Sequence, residues 1–357
     1  MFNKRSIWTG VIIICICLLL IVSCKPRGGD LPESIQLDVP HIYDGCGELC
    51  VLGSLAMLMR AQNPGITYEQ VILASGLGGG YGCSLFSGGL PPQSLVFTAI
   101  RRMGYRPGMA VGPNPNPVLI FTFLQKLPPD KVDFLEGADE GEEFLKEELA
   151  LGRPVMVHVD EFFMADRGRP EIRKRRHNPH FMVVTGYDSE HYYLNDPGFC
   201  GSAACGIRLS RKEFLKAWKE GGAAGEKFGP YFMLWLEPVR KPVSERALLE
   251  CLGRDSSVAP FYLRALASRL KRKVGFYEWK RLVHTAPEVL GRRTLASFLA
   301  KRGLKNAARL YKQSAEMFEK LKNSKDLEEF SDLLLDIADH EEKASKILNS
   351  EIFGDNR

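Results

Sequence analysis

Two apolar runs that fold back on each other near the middle of this chain constrain its fold more than any other feature. His180-Phe-Met-Val-Val-Thr185 is rich in β-branched and aromatic residues, and Tyr192-Tyr-Leu-Asn-Asp196 is a similar run. Between them Gly186-Tyr-Asp-Ser-Glu-His191 supplies turn residues. Such a sequence predicts an antiparallel hairpin. Pro154-Val-Met-Val-His-Val159 reads as a buried strand before it, and Tyr231 to Leu236 as a last strand after it. Ser34 to Val39 alternates weakly and predicts an edge strand closed by Pro40. Most of what precedes the hairpin is helical. Leu49, Leu52, Ala56 and Met59 recur at steps of three and four, Thr67 caps a short helix over 68–75, and Pro92 to Met103 forms a third. Residues 139–151 make an amphipathic helix ended by Gly152, Tyr105-Arg-Pro ends the third helix, and Leu209 to Trp218 is helical. Helices first and antiparallel strands afterwards argue for an α+β domain.

Beyond about Pro238 no strand pattern follows. Residues 260–272, 294–321 and 326–348 carry helical periodicity, with Leu304, Ala308, Tyr311, Ala315 and Phe318 on one face. An α-helical C-terminal region, 239–357, is therefore expected. Between Arg240 and Lys312 there are 18 Lys/Arg against 5 Asp/Glu. These charges read first as solvated helix faces, and second as a surface drawn to anionic head groups. The net charge of +5 over 357 residues is too small to imply a nucleic-acid partner.

The N-terminus reads as a signal. Lys4 and Arg5 precede an apolar run from Ile7 to Val22, short for a membrane span. Ile21-Val22-Ser23-Cys24 resembles a bacterial lipoprotein lipobox, which implies cleavage and lipidation at Cys24. Residues 1–24 are then the signal and 25–35 a polar tether. The body is expected in the cell envelope, lipid-anchored to a membrane. Lys25 is not the retention aspartate, which favours the outer membrane where a cell has two. Of nine cysteines, six remain beyond Cys24 in a compartment that permits disulfides. Cys200 and Cys205 are the expected local bridge. No cysteine pair has the companion ligands of a zinc site, so neither metal nor cofactor is expected.

Cys46 carries the chemistry. It sits among glycines in Asp44-Gly-Cys-Gly-Glu-Leu-Cys50, at the start of an apolar helix. Unpaired N–H groups and the positive end of the helix dipole favour a thiolate there. A thiolate nucleophile needs a base, and the base an orienting acceptor. The hairpin offers both: His180 opens one strand, Asp196 ends the other, and antiparallel pairing brings such positions side by side. The plainer alternatives are a buried structural cysteine, a satisfied core histidine, and a turn aspartate before Pro197. The glycine-dense segment 76–89 lacks the lysine of a phosphate-binding loop and reads as a loop bordering a site. Arg173, Arg175 and Arg176, with Lys174, form a basic cluster that suits an acidic substrate or a solvated loop.

These residues resemble a known group. Cys46-Gly-x-x-Cys50 leading into a Leu/Ala/Met helix, the strand after Gly152-Arg-Pro, His180-Phe-Met-Val-Val-Thr-Gly-Tyr-Asp and Leu194-Asn-Asp-Pro197 are similar to papain-like peptidases of the bacteriocin-processing type. Val159-Asp-Glu-Phe-Phe163, Asn178-Pro-His-Phe and a helical tail resemble more closely the butirosin biosynthesis protein H group. The resemblance implies a papain-like domain over 36–238 with an N-terminal active-site helix and an antiparallel sheet. It also implies Cys46, His180 and Asp196 as a catalytic triad. The processing peptidases have Asp where this chain has Gly45, and an oxyanion-binding glutamine where it has Pro40. Gln36 or His41 is a substitute donor, beside the backbone N–H of Cys46. The expected function is an extracytoplasmic thiol-dependent peptidase or amidase acting on a peptide or other amide-containing substrate. The alternatives are an amine acyltransferase, a catalytically inactive binding module, and a scaffold on the membrane surface.

Overall fold

The structure is a computed structural model. It describes residues 30–44, 49–77, 93–113, 115, 132–164, 177, 179–198, 205–225, 229–273, 285–321 and 323–354. The chain divides into two compact bodies. One takes the residues up to Val39, Pro107–Asn195 and Cys205–Leu236, and the other takes Pro40–Arg106, Asp196–Ala204 and Glu237 onward.

The first body is built on the sheet. Its strands are β1 (Ile35–Gln36), β2 (Tyr105–Val111), β3 (Val132–Phe134), β4 (Val155–Asp160), β5 (Pro179–Tyr187), β6 (His191–Asn195), β7 (Ile207–Ser210) and β8 (Met233–Pro238). Among the described residues they form one sheet in the order β3-β2-β8-β4-β5-β6-β7. Pairing is antiparallel at β4–β5, β4–β8, β5–β6 and β6–β7, and parallel at β2–β3. β1 takes up the far end of β5, with Ile35 opposite Tyr187 and Gln36 opposite Gly186. Two helices, Ala138–Ala150 and Arg211–Gly225, belong to this body. Their Phe144, Leu145, Leu149, Phe214 and Trp218 share a buried core with Val155, Val157 and Val159 of β4 and Met182 and Val184 of β5. Alternation puts those strand residues on one face, which is why a run of β-branched residues suits these positions.

The α+β expectation holds, and so do the hairpin and the edge strand. Three strands were not foreseen. β2 was hidden because Tyr105-Arg-Pro107 reads as the end of the third helix. Gly108 is there to admit Trp235, because a Cβ at that position would lie 2.2 Å from the indole Cε2. β3 is only three residues long, and β7 stands where the sequence suggested the opening of a helix.

The second body is helical among its described residues, apart from the ends of β2 and β8. It contains α1 (Cys50–Gln62), α2 (Tyr68–Ser75) and α3 (Gln93–Arg102) from the N-terminal half of the chain. Numbering the two helices of the sheet body α4 and α5, it continues with α6 (Glu245–Ser256), α7 (Ala259–Lys273), α8 (Thr285–Lys301), α9 (Lys305–Leu321) and α10 (Leu327–Phe353). Thr67 caps α2 in a full capping box with Gln70, as its position suggested. The periodic stretch 294–321 is two helices rather than one, because Gly303 takes φ 80° and turns the chain. Arg102 ties α3 to α6 through a bidentate pair with Asp255 at 2.8 and 3.1 Å. Tyr105 donates from its hydroxyl to the Met59 carbonyl at 3.3 Å. At the centre of the C-terminal helices lies a buried charge cluster. Arg292 of α8 meets Glu288 one turn away and Glu341 of α10 at 2.9 Å, and its guanidinium lies 4.3 Å from the ring centroid of Phe318. Cys50, Cys205 and Cys251 are free thiols among the described residues; Cys200, the other half of the expected Cys200–Cys205 bridge, lies outside them. No described helix is long and apolar enough to cross a membrane.

Candidate functional site

In the sheet body the histidine of interest is the second residue of β5. Pro179 opens that strand, a position where its missing N–H costs no ladder bond. It pairs with Asp160, and His180 pairs with Val159, so the start of β5 and the end of β4 lie side by side. Just past Asp160 the chain makes one 3-10 turn, Glu161–Phe163, capped by the Asp160 carboxylate accepting from the Phe162 N–H at 3.0 Å. That turn presents Glu161 to the histidine: Oε1 is 3.9 Å from His180 Nε2, and both side chains are buried. The other oxygen of Asp160 is 2.6 Å from Nδ1 of His177, whose ring packs on Phe162 and Phe163 at 5.1 and 5.7 Å between centroids. Two histidine–carboxylate couples therefore stand at the joined ends of β4 and β5.

In the helical body the described residues on either side of Gly45–Glu48 are held firmly. Asp44 is fully buried. Its N–H donates to the Pro197 carbonyl at 2.8 Å, and its carboxylate accepts from the Leu49 N–H at 3.2 Å. Its own carbonyl accepts from the Tyr68 hydroxyl at 3.1 Å. Pro197 also lies against α1, where a Cβ on Gly53 would come within 2.6 Å of the proline Cβ. Asp196 is 1% exposed and accepts from the Gly198 N–H at 2.8 Å, an Asx turn that fixes its carboxylate. His41 Nε2 is 2.7 Å from the Asp196 carbonyl oxygen.

His180 is in the sheet body and Asp196 opens the 196–204 segment of the helical body. The β5–β6 ladder ends at Val183 opposite Asn195, one residue short of Asp196. Gln36 donates from Nε2 to the Thr185 hydroxyl at 3.1 Å, and Thr185 donates in turn to the Tyr193 carbonyl. Both substitute oxyanion donors therefore have a partner within their own body. Cys46, Arg173, Arg175, Arg176 and Cys24 lie outside the described residues. Sequence reasoning missed Glu161, although Val159-Asp-Glu-Phe-Phe163 had been noted, and it missed Asp44 and Gly53. For Asp44 the available signal was an acidic residue two positions before Cys46.

Residues 50–197 match the family described as butirosin biosynthesis protein H, N-terminal. The resemblance to that family is borne out over this span, which includes His180 and Asp196 and begins four residues after Cys46. The uncharacterized protein YvpB of Bacillus subtilis (strain 168) is 27% identical over 207 residues, covering 53% of this chain and 70% of that protein. A solved structure described as a C39-like peptidase from Bacillus anthracis aligns with 58% of this chain and 100% of its own, at 16% identity and a TM-score of 0.35. That overlap is too loose to bear on the strand order, which stands on the pairings given above.

Proposed function

We propose that the protein is a thiol-dependent peptidase or amidase, lipid-anchored outside the cytoplasm, that works through an acyl-enzyme. In this reading the Cys46 thiolate attacks a substrate carbonyl and its sulfur forms the new bond to carbon. His180 holds the thiol proton and passes it to the departing amine. Asp196 orients the imidazole, and the N–H of Cys46 faces the oxyanion. Water then takes the acyl group and regenerates the thiol. The observation that carries the reading is the strap around Asp44. Asp44 and Leu49 flank the cysteine segment, and Asp44 is bonded both to Leu49 and to Pro197, the residue after Asp196. The described residues on either side of the cysteine are thus braced to the residue that follows Asp196, which supports this reading.

A second reading rests on the family match, whose name points to a biosynthetic protein. With an amine in place of water as acceptor, the same three residues would transfer the acyl group instead of hydrolysing it. The envelope location read from the N-terminus favours water, because activated acyl carriers are mainly cytoplasmic.

The test is the rate of Cys46 alkylation as a function of pH in the chain from Lys25 onward, beside His180→Ala and Asp196→Asn. Fast labelling well below pH 8 that slows in both variants supports an activated thiol. A screen of peptides with and without added amines then separates hydrolysis from transfer. Labelling that appears only after reduction makes Cys46 structural and removes the enzyme reading.

A further inference from the structure

Helices α8 and α9 form an antiparallel pair turned at Gly303, and a groove of about 530 Å³ runs between them. Its floor is made of small residues, Ala296 and Ala300 from α8 and Ala308 from α9. Its walls are charged: Arg293 on one side, and Lys305, Arg309 and Lys312 on the other, with Glu316 as the one carboxylate in the lining. Lys305, Arg309, Lys312 and Glu316 follow steps of four, three and four, so they share one face of α9. From Lys305 to Lys312 that face extends about 10 Å.

Pairing separates these residues from their neighbours. On the same helices and their turn, Arg292, Arg293, Lys301 and Arg302 are each held by a carboxylate: Arg292 by Glu288 and Glu341, and the others by Glu319, Glu69 and Glu245. Lys305, Arg309 and Lys312 have no ion pair among the described residues. Three uncommitted cations therefore line one wall of a groove whose opposite wall carries Arg293, already paired with Glu319. We propose that this groove seats the phosphate-bearing head groups of an anionic membrane surface. The lining contains no aromatic residue. A stable protein interface wants anchors in a desolvated pocket, whereas Arg293 and Arg309 are both exposed, and a single-stranded nucleic acid wants a stacking platform. Head groups need only clustered positive charge at an accessible face. The lipobox-like N-terminus, read independently, would hold the chain at such a surface.

The experiment uses the chain from Lys25 onward, which keeps every residue of the described fold. Its co-flotation is measured with phosphatidylcholine vesicles, with and without phosphatidylglycerol, at low and physiological salt. The groove variant is Lys305→Gln/Arg309→Gln/Lys312→Gln, all at exposed helix positions. A charge-matched control, Lys320→Gln/Lys325→Gln/Lys343→Gln, removes three exposed charges elsewhere in the same body. Expected is phosphatidylglycerol-dependent binding that weakens with salt and falls on the order of 100-fold in the groove variant, at roughly fivefold per charge. The control variant should keep most of it. Equal loss in both variants would reduce the effect to net charge and overturn the groove. Absence of a phosphatidylglycerol preference overturns it too, as does binding of an acidic peptide or of free phosphate with none to vesicles.

Discussion

Nε2 of His180 lies 3.9 Å from Oε1 of Glu161, with both side chains shielded from water. At this separation, and out of solvent, a carboxylate favours the imidazolium over the neutral ring. In the proposed chemistry, Glu161 would support the charge-separated thiolate–imidazolium state. Replacing Glu161 with Gln keeps the shape and removes the charge. Cys46 labelling at pH 6 is expected to slow. The labelling pH profile checks this, with thermal unfolding as the control for folding. An unchanged profile would leave Glu161 a bystander.

Gly53 is where the cross-bracing of the helical body is most exposed to a single change. A Cβ there would come within 2.6 Å of the Pro197 Cβ and 3.2 Å of the Asp44 Cβ. Gly53→Ala is expected to destabilise the fold by about 1–3 kcal/mol, the usual range for overpacking. Ala is otherwise the better helix former, so a neutral result in chemical denaturation would mean that Pro197 moves aside freely. The variant is also expected to slow Cys46 labelling, because the segments around Asp44 and Asp196 shift together.

Glu142 makes the sheet body sensitive to acid. Burial alone would raise its carboxyl, but hydrogen bonds from Arg211 and Tyr192 and the nearby Lys146 bring it down to about 2. The Arg211 contacts are 2.7 and 2.6 Å and the Tyr192 contact is 2.9 Å. A carboxyl lowered on folding adds stability at pH values above its unfolded value of 4.5, and that stability is lost as pH falls toward 2. The contribution at neutral pH is on the order of 2–3 kcal/mol. Urea midpoints followed from pH 6 to pH 3 are therefore expected to fall less steeply in Glu142→Gln than in the parent.

The charge cluster at Arg292 predicts a large penalty for removing one partner. Arg292 and Glu288 are each at most 1% exposed, and Glu341 is fully buried. Arg292→Met would leave two carboxylates facing each other without the guanidinium between them. A loss of about 3–5 kcal/mol is expected, measured by denaturation of the helical signal. Adding Glu288→Gln and Glu341→Gln to the same chain should recover part of it, because uncharged side chains need no counter-ion.

Elements set by local pattern were legible in the sequence. The hairpin followed from β-branched residues around a glycine-bearing turn, and the start of α2 from Thr67 followed by Gln70. His180 could be picked out because it opens an apolar strand. Features set by distant packing could not. Nothing near Gly53 in the sequence announces that Pro197 will rest on it, and Gly108 looks like a breaker until Trp235 fills the space. Glu161 escaped because its direction depends on the single 3-10 turn after Asp160, which no periodicity marks. Arg292 sits in a stretch so basic that it reads as solvent-facing, and only its carboxylate partners make it a core residue.

The register of β1 sets how far the body can stand from an anchor. Ile35 and Gln36 are paired into the sheet, and Pro32 is already fixed by its carbonyl accepting from the Tyr187 hydroxyl at 2.8 Å. A lipid on Cys24, as proposed, would be joined to that fixed point by eight residues, a leash of about 28 Å at full stretch. That is less than the roughly 30 Å thickness of a bilayer's hydrocarbon core. Such an enzyme would patrol a thin layer above its own membrane, and its substrates would have to come to that layer.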